Sequence, residues 1–312
     1  MNNGTIDLQR NGFIATLVIN RPAKLNALTP EMLEQLLAHC HTLETDSEIR
    51  VVLLTSASEK AFCVGADIHR WTSLSALDMW RNWIRRGHQA FDALAQLPQP
   101  VIALLHGLAY GGGLELAATA DIRICSAEAQ MALPETGLAT VPGWSGTQRL
   151  TALLGRSLVK ELVFTGEPLD AQRALSCGLV NRVVAREALH DAGLQLAQRI
   201  AQRAPVAVQI AKQVIDAGEG IAVASTLEAL AGAFSATTED AHEGSQAFTE
   251  KRQPHFQARD RLLQGKKDNE YDNLCSPNAF FISANNDKTR GLCTWHLSYW
   301  LQHRNRQHHH YG

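Results

Sequence analysis

The chain has 312 residues, of which 45% are hydrophobic and 19% charged, so it is long and apolar enough for a globular protein of one large domain or two smaller ones. A net charge of -2 excludes a bulk electrostatic attraction to nucleic acid or to anionic membranes, although a local basic patch remains open. Six scattered cysteines without a CxxC pair, and a polar N-terminus, predict a reduced, cytoplasmic protein. No apolar run has the uninterrupted length that a membrane helix needs.

Strand and helix patterns alternate through the first half of the chain, which is typical of an α/β fold. Residues 29–46 predict a helix, because Thr29 can cap it, Pro30 suits its first turn, and leucines recur at helical spacing. Residues 79–97 also predict a helix. Apolar and β-branched segments predict strands at 13–20, 50–57, 100–107 and 122–127.

After about Gly143 the pattern turns helical over several successive segments. Beyond about Arg261 no period is sustained, and Asn, His, Trp and Cys are mixed, which predicts a disordered appendage. Its run His308–His310 could bind metal weakly, but three adjacent histidines in a flexible tail do not make a preorganised site. We therefore predict no metal centre.

Three consecutive glycines, Gly111–Gly113, follow a predicted buried strand and open a predicted helix at 113–120. Backbone can approach a ligand closely at such a point, and the first N–H groups of a helix lack internal partners. Fixed N–H donors of this kind can form an oxyanion hole. Close packing of strand against helix, which excludes a Cβ, is an equal alternative.

A second glycine turn contains Gly65, Ala66 and Asp67. The backbone N–H of Ala66 could be a second donor. The alternative is an ordinary turn in which Asp67 caps a helix.

Two carboxylates, Glu115 and Glu135, each lie beside glycines in an apolar setting. Desolvation would raise their pKa values towards those useful for proton transfer, although a solvated loop is the usual place of a glutamate. Together they could hold one water and move its proton while backbone donors polarise a carbonyl. At Glu115 burial should raise the pKa, whereas a helix N-terminus should lower it.

The chain resembles the crotonase (enoyl-CoA hydratase/isomerase) superfamily from about residue 5 to about residue 260. The resemblance is carried by "RPAKLNALTPEML", "AFCVGADI", "HGLAYGGGLELAATADIRI", "ALPETGLATVPGWSGTQRL" and "EDAHEGSQAFTEKRQPHF". It implies an α/β fold, with a spiral ββα core at 1–200 that binds acyl-CoA and a C-terminal helical trimerisation region at 201–261. The tail at 262–312 lies outside it.

The resemblance also implies roles for single residues. The N–H groups of Ala66 and Gly112 match the oxyanion hole that binds the thioester carbonyl of an acyl-CoA. Glu115 and Glu135 match the two glutamates that bind and activate the catalytic water, and the N–H of Gly143, at a helix start, matches a further contact to that water. We expect Glu135 to be the main acid for C2 and Glu115 to position and deprotonate the water.

The residues that match contacts to CoA and substrate are Lys24, Ala66, Asp67, Ile68 and Gly112, together with Phe248 and Lys251, which are often given by a neighbouring subunit. The family relationship further implies a homotrimer or homohexamer and no cofactor beyond the CoA of the substrate. We expect no nucleic-acid or membrane partner.

The expected activity is hydration of a 2-enoyl-CoA in fatty-acid β-oxidation, or the reverse reaction. Alternatives within the family are double-bond isomerisation, carnitinyl-CoA-type dehydration and decarboxylation, and some members bind RNA. His106 stands where an Asn is frequent. Tyr110, Trp144, Trp80 and Trp83 either shape the acyl pocket or only pack.

Overall fold

The computed structural model describes residues 3–217 and 221–259, with backbone alone for 221–226. Its main sheet has six strands, and the order across the sheet places the N-terminal hairpin at one edge. The hairpin pairs antiparallel, and all the other pairs of this sheet are parallel. In spatial order the strands are β1 (Thr5–Asn11), β2 (Ile14–Asn20), β3 (Val51–Ser56), β5 (Val101–Leu105), β7 (Ile122–Ser126) and β10 (Arg182–Val184).

A second, smaller sheet runs beside the first. Three of its strands pair in parallel, and the last pairs antiparallel. Its strands in spatial order are β4 (Ala61–Cys63), β6 (Leu108–Tyr110), β8 (Gln130–Ala132) and β9 (Leu169–Asp170).

The chain repeats one unit three times, and each repeat is one turn of a spiral. In each repeat the first strand joins the main sheet, the second strand joins the smaller sheet, and a helical segment follows. β3 and β4 lead to a short helix at Ile68–Trp71, and β5 and β6 lead to a helix at Gly112–Ala117. β7 and β8 lead to a 3₁₀ helix at Glu135–Leu138. This repeat is the ββα spiral that the family resemblance implies, and residues that follow the second strand of each repeat, Ala66, Gly112 and Glu135, line one pocket.

The α-helices of the described residues surround the two sheets and form the C-terminal region. They are α1 (Pro30–Glu44), α2 (Ile68–Trp71), α3 (Ala76–Asp78), α4 (Arg85–Ala95), α5 (Gly112–Ala117), α6 (Gly146–Leu154), α7 (Arg156–Thr165), α8 (Ala171–Ser176), α9 (Leu189–Ala201), α10 (Pro205–Asp216), α11 (Ile221–Ser235) and α12 (Glu239–Glu250). Short 3₁₀ helices occur at Pro22–Lys24 and Arg186–Ala188.

The main sheet is covered on both faces, which is why its central strands are apolar without alternation. α9 packs on one face through Leu189, Ala197 and Ala201. The other face belongs to the larger core cluster, which includes α1 and α4. β5 is buried along its whole length, as the run 100–107 predicted.

Several sequence predictions are confirmed with shifted ends. α1 begins at Pro30, and the Thr29 hydroxyl accepts the N–H of Met32 at 3.3 Å, so the predicted cap is present. The predicted helix at 79–97 begins as a π-helical segment, Met79–Ile84, before α4.

The helical pattern predicted after about Gly143 is present, and two short strands that the sequence analysis did not predict, β9 and β10, lie between the helices. Both strands have three residues or fewer, too short for an alternating pattern, and they pair with strands formed much earlier in the chain.

Within the described part of the chain, none of the helices combines the length and apolar character needed to cross a bilayer. That same part contains no group of three or more His, Cys, Asp or Glu side chains arranged to hold a metal ion. The tail at 262–312, with His308–His310, lies outside the described residues.

Candidate active site

Each glycine of the triplet is required for a different physical reason. Gly111 has φ +53°, a left-handed conformation that side chains rarely adopt. A Cβ on Gly112 would lie 2.7 Å from a ring carbon of Trp144, and one on Gly113 would lie 1.9 Å from the carbonyl oxygen of Cys63. The turn therefore brings its backbone against both an aromatic ring and strand β4. The helix that follows begins at Gly112, one residue before the predicted start.

The second glycine turn lies directly against the first. Gly65 has φ +92°, and a Cβ there would come within 2.8 Å of the Gly112 nitrogen. Leu28 donates its N–H to the Gly65 carbonyl at 2.7 Å and accepts the N–H of Asp67 at 2.9 Å. In such a parallel bridge the N–H of the intervening residue, Ala66, points away from Leu28.

The N–H groups of Ala66 and Gly112 thus belong to two adjoining turns, and both residues line the same pocket. Gly112 is the first residue of α5, where a helix leaves N–H groups without internal partners. Two backbone N–H donors that are fixed side by side can form an oxyanion hole.

Glu115 is buried on α5, with 2% of its surface exposed. Its Oε1 accepts the backbone N–H groups of Trp144 and Gly146, both at 2.8 Å. Burial raises the pKa of Glu115, and the N–H groups of Trp144, Gly146 and Gly143 oppose that rise. Burial therefore outweighs the opposing N–H groups, which belong to the loop before α6 and to the first residue of that helix rather than to the first turn of α5; the charge of His88 on α4 also lowers the pKa.

The loop before α6 is shaped around this carboxylate. Ser145 has φ +67°, and a Cβ on Gly146 would lie 2.2 Å from Cγ of Glu115. The sequence placed Gly143 just before a helical run, and α6 begins three residues after it, at Gly146. The left-handed Ser145 directly precedes the helix, and the N–H groups on either side of it, those of Trp144 and Gly146, converge on one oxygen. The contributions of Trp144 and Gly146 were missed, although the small pair Ser145–Gly146 before a helical run was the available signal.

Glu135 approaches the same space from the third turn of the spiral. It opens the 3₁₀ helix Glu135–Leu138, and a Cβ on Gly111 would lie 2.9 Å from its Oε1. Its Oε2 is buried and has no hydrogen-bond partner among the described residues. Burial, reinforced by the charge of Glu115, raises the pKa of Glu135 to about 7.

These groups share one pocket of about 130 Å³. Glu115 and Glu135 lie on its surface with Ala66, Gly112 and Gly143. The rest of the lining is mainly apolar, so the carboxylates face a space with little polar surface. Residues from three separate turns of the spiral therefore meet at one place, where a carbonyl, a water molecule and two proton carriers would fit.

The residues predicted to contact CoA differ in how far they are exposed and in whether they line the pocket. Asp67 is buried: it pairs with Arg21 at 2.7 Å and accepts the N–H of His69 at the start of α2. Burial would raise the pKa of Asp67, but the hydrogen bond and charge of Arg21 outweigh it and lower the pKa. The helix-capping alternative is thus present. Ile68 lines the pocket and is 44% exposed, and Lys24 is exposed at the end of its 3₁₀ helix.

Phe248 and Lys251 lie at the end of α12, far along the chain from the spiral. Phe248 is 86% exposed, and Lys251 ends the helix with φ +55°. In the described part of this single chain, neither residue lines the pocket.

The aromatic residues divide into two groups. Trp83 and Trp144 line the pocket and also belong to the buried core. Tyr110 instead donates its hydroxyl to Gln130 at 2.8 Å, and Trp80 is 64% exposed. His106 hydrogen-bonds the Ser58 carbonyl, and burial, the largest influence, lowers its pKa.

The site combines adjoining backbone donors with two partly or fully buried carboxylates on a ββα spiral. These features are those of an enzyme that acts on a carbonyl compound. Comparison with known proteins assigns the family: the Enoyl-CoA hydratase/isomerase family model matches residues 9–259. The chain belongs to the enoyl-CoA hydratase/isomerase family, the crotonase superfamily.

Named relatives cover most of the chain. A short-chain-enoyl-CoA hydratase of Clostridium acetobutylicum is 40% identical over 81% of this chain and 97% of its own length. A crotonyl-CoA hydratase of Syntrophomonas wolfei is 36% identical over 80% of this chain and 97% of its own. The crystal structure of an enoyl-CoA hydratase from Bacillus anthracis has a TM-score of 0.78 at 36% identity, covering 83% of this chain and all of its own.

Proposed function

We propose that this protein is an enoyl-CoA hydratase, which adds water across the 2,3 double bond of a 2-enoyl-CoA to give a 3-hydroxyacyl-CoA. One observation carries the proposal: Glu115 and Glu135 line the same pocket as Ala66 and Gly112. The names of the relatives support it, since they include hydratases at about 40% identity.

The oxyanion donors start the reaction. The N–H groups of Ala66 and Gly112 bind the thioester oxygen and draw electron density from C3, which becomes electrophilic. They bind most strongly when the oxygen carries the negative charge of the enolate, and this preference lowers the barrier. A saturated thioester would accept the same bonds without developing that charge.

The two carboxylates divide the proton transfers. The N–H groups at Oε1 favour the ionised form of Glu115, whereas the buried Oε2 of Glu135 lacks any such donor. Glu115 therefore takes a proton from the water molecule while the water oxygen bonds to C3. Glu135 gives a proton to C2. One water is added, and the proton then returns from Glu115 to Glu135.

The reaction takes all its atoms from water and substrate, so we propose no cofactor besides the CoA of the substrate. The chemistry makes no use of a thiol, and the four cysteines of the described residues are free. Free thiols fit the reducing cytoplasm that we propose for the protein.

The test is the hydration of crotonyl-CoA, followed by loss of the conjugated thioester absorbance. Glu135→Gln should lower kcat by about 100-fold or more, because it removes a proton carrier and keeps the shape of the side chain. The matched control is Glu128→Gln, a change at an exposed glutamate after β7, which should leave the rate unchanged. Binding of butyryl-CoA should survive in both variants.

A Glu135→Gln variant with near-normal turnover would contradict the two-carboxylate mechanism. A wild-type protein that binds butyryl-CoA but does not hydrate crotonyl-CoA would contradict the hydratase assignment itself.

Double-bond isomerisation is a second candidate function, favoured by the raised pKa and the unpartnered oxygen of Glu135. With a pKa of about 7 and an unpartnered Oε2, this one group can take a proton from C2 of a 3-enoyl-CoA and return it at C4. Glu115→Gln distinguishes the two reactions. Hydration should fall with loss of the water-activating carboxylate, whereas an isomerase dependent on Glu135 should keep its rate with a 3-enoyl-CoA.

A further inference from the structure

We infer that Trp83 and Trp144 form the closed end of the acyl pocket and limit the substrate to short acyl groups, of about four to six carbon atoms. The inference rests on the proposed function, because it specifies which acyl-CoA that site accepts.

The indole of Trp144 is held in position from two sides. A Cβ on Gly87 of α4 would lie 2.0 Å from its ring nitrogen, and one on Gly112 would lie 2.7 Å from its six-membered ring. Phe91 meets the ring edge-on, with centroids 5.2 Å apart. Two glycines thus leave the space that the ring fills, and the ring cannot withdraw without disturbing α4.

Trp83 extends this wall. Its ring centroid lies 5.5 Å from that of Trp144, at an interplanar angle of 45°. It belongs to the π-helical segment Met79–Ile84, whose wider turn places Met79, Trp83 and Ile84 all on the pocket. Such segments are rare and occur often at functional sites.

Exposure shows which end of the pocket is closed. Trp83 and Trp144 are 6% and 3% exposed, whereas the lining residues Leu138 and Val141 are 53% and 68% exposed. The exposed residues therefore lie at the mouth, and the two indoles lie at the inner end.

The position of Gly112 indicates how far the tryptophan wall lies from the thioester carbonyl of a bound acyl group. The thioester oxygen is proposed to bind its N–H, and the Trp144 ring lies directly against the same residue. The wall thus begins next to the reacting carbons. A cavity of about 150 Å³ accommodates one benzene molecule, so the 130 Å³ of this pocket suits about six carbon atoms.

The test compares kcat/KM for crotonyl-, hexenoyl-, octenoyl- and decenoyl-CoA. The wild-type value should fall at least about tenfold between hexenoyl- and decenoyl-CoA, because additional methylenes meet the wall. Trp83→Ala should raise the ratio of decenoyl- to crotonyl-CoA hydration about tenfold or more. Trp80→Ala is the matched control: it changes the same residue type in the same segment, but at an exposed position, and should leave the ratio unchanged.

Circular dichroism would show whether Trp83→Ala folds, and Trp83→Leu, which keeps an apolar contact, takes its place if it does not. Competition binding of butyryl- against decanoyl-CoA measures the same preference without any hydration. A wild-type protein that binds both equally, or a folded Trp83 variant with unchanged chain-length ratio, would overturn the inference. Failure to hydrate any of the four esters, with a preference for butyryl-CoA in binding, would contradict only the proposed function.

Discussion

The backbone N–H of Trp144 donates to Oε1 of Glu115 at 2.8 Å, while the side chain of the same tryptophan lines the pocket. One residue therefore holds the Glu115 carboxylate through its backbone and forms part of the pocket wall through its ring. Displacement of the loop around Trp144 would affect both properties together, so variants that change only the ring or only the carboxylate are needed to separate them.

Gly146→Ala should reduce hydration strongly. The new Cβ would lie 2.2 Å from Cγ of Glu115, so the carboxylate must move from its N–H donors. A displacement of this kind should lower kcat by on the order of 10- to 100-fold in the crotonyl-CoA assay. Gly137→Ala is the control, because a Cβ there meets no heavy atom within 4 Å. Equal rates for the two variants would show that the position of Glu115 is unimportant for catalysis.

The hydration rate should fall at alkaline pH. Glu135 must be protonated to supply the proton to C2, and burial raises its pKa to about 7. In the free protein kcat/KM for crotonyl-CoA should therefore decline above about pH 7, approaching tenfold per pH unit. A pH profile measured in the hydration direction checks this. A rate that stays constant well above that pH would exclude Glu135 as the acid.

The stability of the folded protein should depend on the same group. Because burial raises the pKa of Glu135 from 4.5 to about 7, the folded state binds this proton more tightly than the unfolded state does. The stabilisation is complete below the unfolded pKa and is lost as pH rises through the folded one.

The glutamine of the Glu135→Gln variant stays neutral at every pH, so the variant does not have this pH dependence. As the pH rises from about 4.5 to about 7, the unfolding free energy of the wild type should therefore fall by about 1 to 3 kcal/mol relative to that of the variant. Denaturant unfolding of both proteins at equal concentration measures the difference. A difference independent of pH would mean that the carboxylate has the same pKa in both states.

We expect the protein to assemble as a homotrimer or homohexamer through its C-terminal helices. These helices carry four large apolar side chains that are between 60% and 86% exposed in the single chain: Ile215, Leu230, Phe234 and Phe248, on α10, α11 and α12. Apolar side chains exposed together in this way are typical of a protein interface. Light scattering should give three or six times the subunit mass. Phe234→Glu should lower that mass, whereas Phe164→Glu, at an exposed site on α7, should not. A monomeric wild-type protein would contradict the prediction.

Truncation after Arg261 should leave activity and assembly intact. The tail lacks sustained periodicity, and the family model ends at residue 259, so the catalytic and oligomerisation functions are both predicted to precede it. Crotonyl-CoA hydration and light scattering of the truncated chain check this. Loss of both properties would make the tail a structural element of the protein.

Much of the fold could be predicted because its strands are apolar runs and its first helix carries a local cap. Thr29 caps α1 through a contact only three residues away, which a sequence displays directly. The short strands β9 and β10 could not be found in this way. They exist because earlier strands offer edges to pair with, and their own few residues carry no distinguishing pattern.

The sequence by itself determined the central strands, the two glycine turns and the presence of two carboxylates beside them, because backbone freedom and hydrophobic periodicity are local properties. Only the tertiary structure decided that Gly65 adjoins Gly112, that Gly146 meets Glu115, and that Gly87 makes room for the indole next to them. These pairs are separated by 30 residues or more in the chain. Their contact depends on how the spiral packs, and local propensity carries no information about such distances.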